Sequence, residues 1–418
     1  MIKDYLIGVK REVNELNVYP RELEININYP TVIIGPRRSG KSFYLYYLIK
    51  KLNLKEEDYL FVNFEDYEVR NINPMDIINE HIEIYKKEPE YIFLDEVQSL
   101  NNWENFLYSL VERKKYKIIV TGSSSKLLSK EIATNLRGRF IDKILLPLSF
   151  REYLLFKKIN IKEPLYNREI SKIEGYLYDY IKNGGFPDIV LEKISKKEFV
   201  KEYINVVLYK DFIERYKIEN TEVARFLLYS LIQSNGNILS INKIYKQLKQ
   251  ITEVSNKTIR KYIYLLPETL SIFLLRKFSY SIKKSYLSKP KVYLSDTSLD
   301  LEENGIGRKM ENIVFLEFIR KGLMDNIYYF QTNEYEIDFL IKENNEITKL
   351  INVTYANNYD EIDKREIRSL IHGYDLFKEH NPELIIITWD YEDEKEISWF
   401  NKKGKIKFIP LWKWLLNI

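Results

Sequence analysis

The sequence predicts an α/β protein whose first domain is built on a parallel β-sheet. The apolar run at 31–34 indicates a buried strand, and a helix over 43–52 follows it after a glycine-containing turn. A second apolar run, at 91–94, ends in Asp95 and Glu96. Strands that alternate with helices are typical of parallel sheets. Because 418 residues exceed the size at which one core normally keeps growing, we expect two or three domains.

The turn after the first strand has the spacing of a phosphate-binding loop. Residues 35–42 read Gly-Pro-Arg-Arg-Ser-Gly-Lys-Ser and match the pattern G-x-x-x-x-G-K-[ST]. The glycines let the backbone turn tightly, so that successive N–H groups face phosphate oxygens. Lys41 can then meet the β- and γ-phosphates, and Ser42 can bind Mg2+. We therefore predict an ATP site formed by Gly35, Pro36, Arg37, Arg38, Ser39, Gly40, Lys41 and Ser42.

The two acids after the second apolar run complete this chemistry. An acid at the carboxyl end of a strand beside the loop can hold Mg2+ through water, and the next acid can polarise the attacking water. We assign Asp95 to the metal and Glu96 to the water. Such a pair alone can be ordinary solvated charge, but here it follows a phosphate-binding loop at a spacing that fits one domain.

The other elements of the first domain are predicted from local patterns. Alternating or apolar runs predict strands at 24–29, 59–64, 117–121 and 141–146. Asn73-Pro74 predicts an N-cap followed by proline in the first turn of a helix that continues to about residue 87. Another helix is predicted over 103–114.

Three polar residues beyond the strand at 117–121 are further candidates. Ser123 is a candidate sensor of the γ-phosphate, although serines at a strand end also suit helix capping. Arg137 and Arg139 lie on a short turn from which arginine fingers could reach a nucleotide, in cis or from a neighbouring subunit. Structural ion pairing is the alternative role for either arginine.

Composition excludes several other chemistries. The chain has no cysteine, which removes disulfides, thiol catalysis and cysteine-based zinc sites. The three histidines are scattered without the spacing of metal ligands. No apolar run approaches bilayer length and no signal-peptide core is visible, so we expect a cytoplasmic protein without a membrane partner. A net charge of +4 does not identify a nucleic-acid binder by itself.

A series of motifs extends through most of the chain: residues 35–42, Phe93-Leu-Asp-Glu-Val-Gln98, Thr121-Gly-Ser-Ser-Ser125, Leu136-Arg-Gly-Arg139, Pro147-Leu-Ser-Phe-Arg-Glu-Tyr153, Asn183-Gly-Gly-Phe-Pro187 and Tyr209-Lys-Asp-Phe-Ile-Glu-Arg-Tyr216. This series resembles a large prokaryotic, notably archaeal, family of AAA-type ATPases. The resemblance implies a P-loop ATPase core with an additional strand between the Walker strands, a helical lid, a winged helix and a restriction-endonuclease-like α/β domain. The expected boundaries are 1–148, 149–216, 217–298 and 299–418.

The winged helix is also predicted from its own residues. A short helix over 241–248 and a second one over 255–266 are each preceded or opened by a capping serine. The second helix has an apolar side, and the opposite side carries the cations of a DNA recognition helix: Lys257, Arg260 and Lys261. A basic hairpin over 273–291 adds Lys283 and Lys284 near its tip. The alternative is a winged helix used only for packing or partner contacts.

The order of elements after residue 307 resembles a PD-(D/E)XK nuclease core. The resemblance implies a helical Glu, a strand Asp and a Glu-x-Lys on the next strand around a metal, and Glu311 and Asp338 fit the first two positions. The third position reads Asn352-Val353-Thr354 and lacks both the carboxylate and the lysine. We therefore expect a degenerate domain that contacts DNA or protein and does not cut DNA.

These observations leave three functional hypotheses. The first is an ATPase, possible as a homo-oligomer, whose hydrolysis cycle changes how the winged helix and C-terminal domain engage DNA. The second is a regulatory switch of the STAND type, with slow turnover and protein partners at the C-terminal domain. The third is an ATP-gated, metal-dependent nuclease, which the residues at 352–354 disfavour.

Overall fold

The computed structural model describes residues 2–69, 71–122, 138–161, 165–302 and 305–418. The chain forms two compact units. The first contains residues 1–148 and 268–270, and the second contains residues 149–267 and 271–418. No helix in the described ranges combines the length and apolar character needed to span a membrane.

The first unit is built on a parallel sheet. Its strands are β1 (Thr31–Ile34), β2 (Tyr59–Asn63), β3 (Tyr91–Asp95), β4 (Lys117–Gly122) and β5 (Ile141–Ile144). Their order across the sheet is β2-β3-β4-β1-β5, and every pairing is parallel. One strand, β4, therefore lies between β1, which leads into the glycine loop, and β3, which ends in Asp95.

Four described helices accompany this sheet: α1 (Ile2–Glu15), α2 (Lys41–Lys51), α3 (Pro74–Tyr85) and α4 (Trp103–Glu112). Apolar side chains of α2, including Leu45 and Ile49, are buried in one cluster with Ile33 of β1 and Phe93 of β3. The Asn73 side chain accepts a hydrogen bond from the Met75 N–H and caps α3 as the sequence predicts.

The N-terminal segment differs from the prediction. Helix α1 is present where no element is predicted, and the strand expected over 24–29 is absent from the described backbone. Instead, the Tyr29 N–H donates to the carbonyl of Asn26, and the Asn26 side chain accepts from the N–H of Asn28. Asparagine side chains that bond to nearby backbone favour turns over strand pairing, which explains the difference.

The second unit begins with helical segments: α5 (Phe150–Phe156), α6 (Asn167–Asn183), α7 (Pro187–Val190), α8 (Lys196–Val206), a π-helical segment (Val207–Glu214), α9 (Thr221–Gln233), α10 (Ile241–Leu248) and α11 (Asn256–Leu265). Ser149 and Glu152 form a capping box at the start of α5. Ser240 and Ser255 accept hydrogen bonds at the starts of α10 and α11, as the sequence predicts.

The predicted basic hairpin has a different form. Its strands are short, with β6 (Ile272–Leu275) antiparallel to β7 (Lys291–Leu294). The connection between them contains the helix α12 (Ile282–Leu287). Lys283 and Lys284 are exposed on this helix and do not lie on a simple hairpin turn. The Ser281 side chain caps α12, which explains why the connection is helical.

The C-terminal elements are α13 (Ile306–Arg320), β8 (Ile327–Gln331), β9 (Glu336–Glu343), β10 (Glu346–Val353), α14 (Lys364–Leu376), β11 (Glu383–Thr388), β12 (Asp393–Trp399), β13 (Lys402–Pro410) and α15 (Leu411–Leu416). Their strands form a mixed sheet in the order β12-β13-β11-β10-β9-β8. The elements from α13 to β11 follow the predicted sequence of helix and strands, whereas β12, β13 and α15 were not predicted.

One buried carboxylate connects distant segments of the second unit. Asp296 accepts a hydrogen bond of 2.7 Å from the Gly185 N–H. A Cβ at the neighbouring Gly184, whose φ is +81°, would lie 1.9 Å from the Asp296 carboxylate. A glycine is thus required at position 184 because a carboxylate from a segment more than 100 residues later packs against the backbone there.

Candidate functional site

The loop between β1 and α2 has the backbone conformation that its glycines predict. Gly40, at the start of α2, has φ of 93°, and Arg38 also has a positive φ of 57°. At Gly35 a Cβ would lie 2.2 Å from the carbonyl oxygen of Leu145. Any side chain at Gly35 would therefore displace the loop or the segment after β5.

Lys41 lies inside this loop. Its Nζ donates hydrogen bonds of 3.1 Å to the carbonyls of Gly35 and Pro36 and lies 3.9 Å from Glu96. The side chain is buried, so carbonyls of its own loop satisfy much of the ammonium group. These are weak partners compared with phosphate oxygens, which would draw the ammonium toward a bound nucleotide.

Thr121, at the end of β4, organises the two acids at the end of β3. Its hydroxyl donates to Asp95 and accepts a hydrogen bond of 3.1 Å from the N–H of Glu96. Glu96 has a positive φ of 48°, which directs the chain away from the sheet immediately after Asp95. The Gln98 amide donates to the Glu96 carboxylate. The structure thus fixes both the backbone and the side chain of Glu96.

The donor set fits a nucleotide with a divalent cation. Asp95 is fully buried, and one of its oxygens, Oδ2, has no hydrogen-bond partner among the described residues. The buried Ser39 hydroxyl likewise has no partner within the described part of the chain. Buried polar atoms are normally satisfied, so these two unpartnered atoms fit the binding of a polar ligand at this loop. Asp95 and Ser42 supply the hard oxygens that Mg2+ prefers.

The protein groups around Asp95 make its charged form unfavourable. Burial, and then the neighbouring Glu96, raise the pKa of Asp95 from 3.8 to about 6, although hydrogen bonds from Ser42 and Thr121 act in the opposite direction. That change corresponds to about 3 kcal/mol. Because the folded pKa exceeds the unfolded one, ionisation of Asp95 destabilises the fold. The penalty is absent below about pH 4 and complete above about pH 6.

We therefore expect Asp95→Asn to stabilise the nucleotide-free protein. In EDTA at pH 8 the free energy of unfolding should rise by up to about 3 kcal/mol, and the gain should vanish as the pH falls from 6 to 4. Denaturant unfolding across this pH range measures it, with the exposed Asp142→Asn as control. A gain that is independent of pH, or equal in the two variants, would contradict this explanation.

Two residues of the site were not assigned from the sequence. Thr121 ends a strand that was predicted, but its hydrogen bonds to the acids depend on β4 lying beside β3. Arg21, in the segment before β1, donates to the carbonyl of Ser39 at 2.9 Å and to that of Leu146 at 2.7 Å. Arg21 thus joins the loop to the segment after β5, and no sequence motif identifies it.

The other predicted residues of the first unit have different outcomes. Ser123 and Arg137 lie outside the described residues. Arg139 pairs with Glu112 of α4 and lies over the ring of Tyr108, 4.7 Å from its centroid. Structural ion pairing was the alternative role for Arg139, and this contact fits it. A role as an arginine finger stays a prediction for both Arg137 and Arg139.

The predicted DNA-binding residues are all exposed. On α11, Lys257, Arg260 and Lys261 face solvent, whereas Ile259 and Ile263 are buried on the opposite side. The Arg260 side chain donates to Asn256 one turn earlier. Neither lysine of this helix forms an ion pair with another described residue. The helix therefore presents cations to solvent on one side, as predicted.

The structure brings Glu311 of α13 and Asp338 of β9 together. Both carboxylates contact the ammonium group of Lys291, a residue that no sequence motif assigned to this place. The Asn352 oxygen accepts from the N–H of Asp338, and its amide donates to Glu366. The Asn352 oxygen, which could coordinate a metal weakly, is thus already bonded to a backbone N–H. No group of three His, Asp or Glu in the described ranges is arranged to hold a metal.

The glycine loop, the strand order of the sheet and the acids after β3 define a P-loop nucleotide-binding domain. Comparison with known proteins agrees with this class. Residues 28–154 match the model of a family described as AAA domain. The first unit thus belongs to the nucleotide-binding AAA-type ATPases. Residues 174–307 match a domain of unknown function.

The chain belongs to the same family as the uncharacterized protein MJ1544 of Methanocaldococcus jannaschii. The two are 39% identical over 413 residues, which cover 96% of this chain and 91% of that protein. An uncharacterized protein of Haemophilus influenzae is 28% identical and covers 92% of this chain and 94% of its own length. Among solved structures, Aeropyrum pernix ORC1 in complex with DNA is 12% identical, covers 77% of this chain and 93% of its own, and has a TM-score of 0.32. That score is too low to indicate a shared overall fold.

Proposed function

We propose that this protein binds ATP with Mg2+, hydrolyses it, and uses the nucleotide state to control how its second unit engages DNA. The observation that carries the proposal is the arrangement of Asp95 and Glu96, which Thr121 holds beside Lys41 of the phosphate-binding loop. This arrangement supports hydrolysis as well as binding, because it supplies a metal-holding acid and a separate acid for water.

Each residue of the site has its own task in this cycle. The Lys41 ammonium exchanges the carbonyls of Gly35 and Pro36 for β- and γ-phosphate oxygens. Asp95 and Ser42 hold Mg2+, which when bound neutralises charge on the phosphates. Glu96 orients the attacking water and accepts its proton, with its carboxylate fixed by Gln98.

DNA engagement is proposed from the exposed cations of the second unit. Lys257, Arg260 and Lys261 lie on one side of α11, and Lys283 and Lys284 are exposed on α12. Exposed cations that face solvent can replace the counterions of a phosphate backbone. The proposal also includes a homo-oligomer, in which Arg137 or Arg139 completes a neighbouring site, and a protein partner for the C-terminal domain.

The experiment that tests this function is a steady-state ATPase assay. Hydrolysis is measured alone and with single-stranded, duplex and branched DNA, beside a measured particle mass. We expect DNA to stimulate hydrolysis. Slow turnover that does not respond to any DNA would favour the regulatory switch, and it would leave nucleotide binding intact. No hydrolysis under any condition would refute the enzymatic part of the proposal.

A further inference from the structure

The side chain of Lys291, on β7, is buried against three carboxylates. Its Nζ lies 2.8 Å from Glu311, 2.8 Å from Asp338 and 3.0 Å from Glu336. We call these three acids the carboxylate cluster. The ammonium group donates hydrogen bonds to Glu336 and Asp338 and forms an ion pair with Glu311. The Lys291 side chain is only 2% exposed, and its charge is therefore compensated by protein groups and not by water.

The carboxylates around Lys291 favour the charged form of its side chain. Burial lowers the pKa of Lys291, but Asp338 and Glu311 outweigh burial and hold the pKa well above its usual value.

The acids of the carboxylate cluster are themselves held by other groups. The Tyr293 hydroxyl donates to Glu311 at 2.5 Å, and the Val353 N–H donates to Asp338 at 3.0 Å. Glu311 lies on α13 and Asp338 on β9, so two elements direct their carboxylates at one point. Because these contacts do not involve Lys291, they can keep the carboxylates near that point without it.

The geometry around Lys291 belongs to an ammonium group and not to a metal ion. Distances of 2.8–3.0 Å are those of charge-assisted hydrogen bonds. Oxygen ligands lie at about 2.1 Å from Mg2+ and about 2.3–2.6 Å from Ca2+. A divalent ion at the centre of the carboxylate cluster would overlap the ammonium group and be repelled by its charge. Lys291 therefore occupies the space that a metal ion would need.

We propose that Lys291 serves as a built-in cation that closes the carboxylate cluster to divalent metals, and that its removal opens a metal site there. The domain resembles metal-dependent nucleases in the order of its elements and in the positions of Glu311 and Asp338. In this chain a lysine from β7 supplies the positive charge, and it joins β7 to α13 and β9. This inference does not depend on the proposed ATPase function.

The test is Mn2+ binding by the nucleotide-free protein, measured by calorimetry and by electron paramagnetic resonance. Lys291→Met keeps a side chain of similar length and removes the charge. We expect this variant to gain one Mn2+ site with Kd of about 0.1–1 mM, in the range of weak carboxylate sites, and at least about tenfold tighter than wild type. Mn2+ should also raise the melting temperature of Lys291→Met but not that of wild type.

Two variants locate the gained site. Lys291→Arg keeps the positive charge and should gain no Mn2+ affinity. Lys291→Met combined with Asp338→Asn should lose the gained site, because one of the directed carboxylates becomes neutral. Retention of the site in that double variant would place the metal elsewhere and overturn the proposal.

A third variant keeps the proposal testable if Lys291→Met does not fold. Lys291→Met with Glu336→Gln removes one of the uncompensated charges and leaves Glu311 and Asp338, so the same Mn2+ titration applies. If Lys291→Met folds and gains no Mn2+ site, or if its combination with Glu336→Gln folds and gains none, the proposal is overturned. The proposal is also overturned if the wild-type protein binds Mn2+ or cleaves DNA with a metal, and if Asp338→Ala abolishes that binding or cleavage.

Discussion

Lys41→Ala is expected to abolish tight ATP binding, whereas Glu96→Gln is expected to retain binding and block hydrolysis. The Lys41 Nζ and a Glu96 carboxylate oxygen lie 3.9 Å apart, yet the proposal gives the two side chains different groups to act on. In the proposed cycle the Lys41 ammonium is the loop cation for the phosphates, and its loss would remove two charge-assisted hydrogen bonds to them. At about 1.5–3 kcal/mol each, this amounts to at least about a hundredfold weaker binding.

Glu96→Gln should leave the fold of the site intact. The backbone N–H of residue 96 still donates to Thr121, and an amide oxygen can still accept from Gln98. The amide cannot accept a proton from water, so hydrolysis should fall by about 100- to 10,000-fold. Isothermal titration and phosphate release measure the two effects. Wild-type rates of hydrolysis by Glu96→Gln would show that Glu96 does not accept the proton of the attacking water.

Matched controls come from exposed residues of the same unit. Lys51→Ala removes a lysine from the other end of α2, and Glu65→Gln neutralises an exposed acid. Both control variants should bind and hydrolyse ATP as wild type does. If Lys51→Ala weakened ATP binding as much as Lys41→Ala, the effect would reflect the overall charge or stability of the unit and not contact with phosphate.

Replacing Lys257, Arg260 and Lys261 together by alanine should weaken DNA binding and flatten its salt dependence. If each cation neutralises one phosphate, the slope of log K against log salt should fall by about 3. Affinity near 0.15 M salt should fall at least about tenfold. The fold should survive because the buried side of α11, formed by Ile259, Tyr262 and Ile263, is unchanged.

A control of equal charge separates a local contact from general attraction. Lys197, Lys201 and Lys210 are exposed in the same unit but lie outside α11, so their triple alanine variant has the same net charge. Fluorescence anisotropy over a series of salt concentrations measures both proteins. Equal losses in the two variants would show that DNA responds only to net charge. If the slope of log K against log salt were unchanged in the α11 variant, α11 would not be the DNA-binding surface.

The sequence determined the features that depend on neighbouring residues. Eight contiguous residues specify the loop from Gly35 to Ser42, because its turn and its phosphate-facing N–H groups are local properties. The Asp95-Glu96 pair was predicted in the same way, since an apolar run that stops at two acids indicates a strand end. The caps at Asn73 and Ser255 fixed helix starts, because each side chain bonds to an N–H two or three residues later.

Only the tertiary structure decided which distant side chains meet. Thr121 contacts Asp95 across 26 residues, Arg21 contacts Ser39 across 18, and Lys291 contacts Asp338 across 47. Strand order and the packing of separate elements create these pairs, so no local pattern encodes them. The departures near residue 26 and within 273–291 have a local cause instead, because the Asn26 side chain accepts from an N–H two residues later and the Ser281 side chain caps α12. A lysine in a short strand is expected to be exposed. Lys291 is buried because the neighbouring sheet and helix supply three carboxylates.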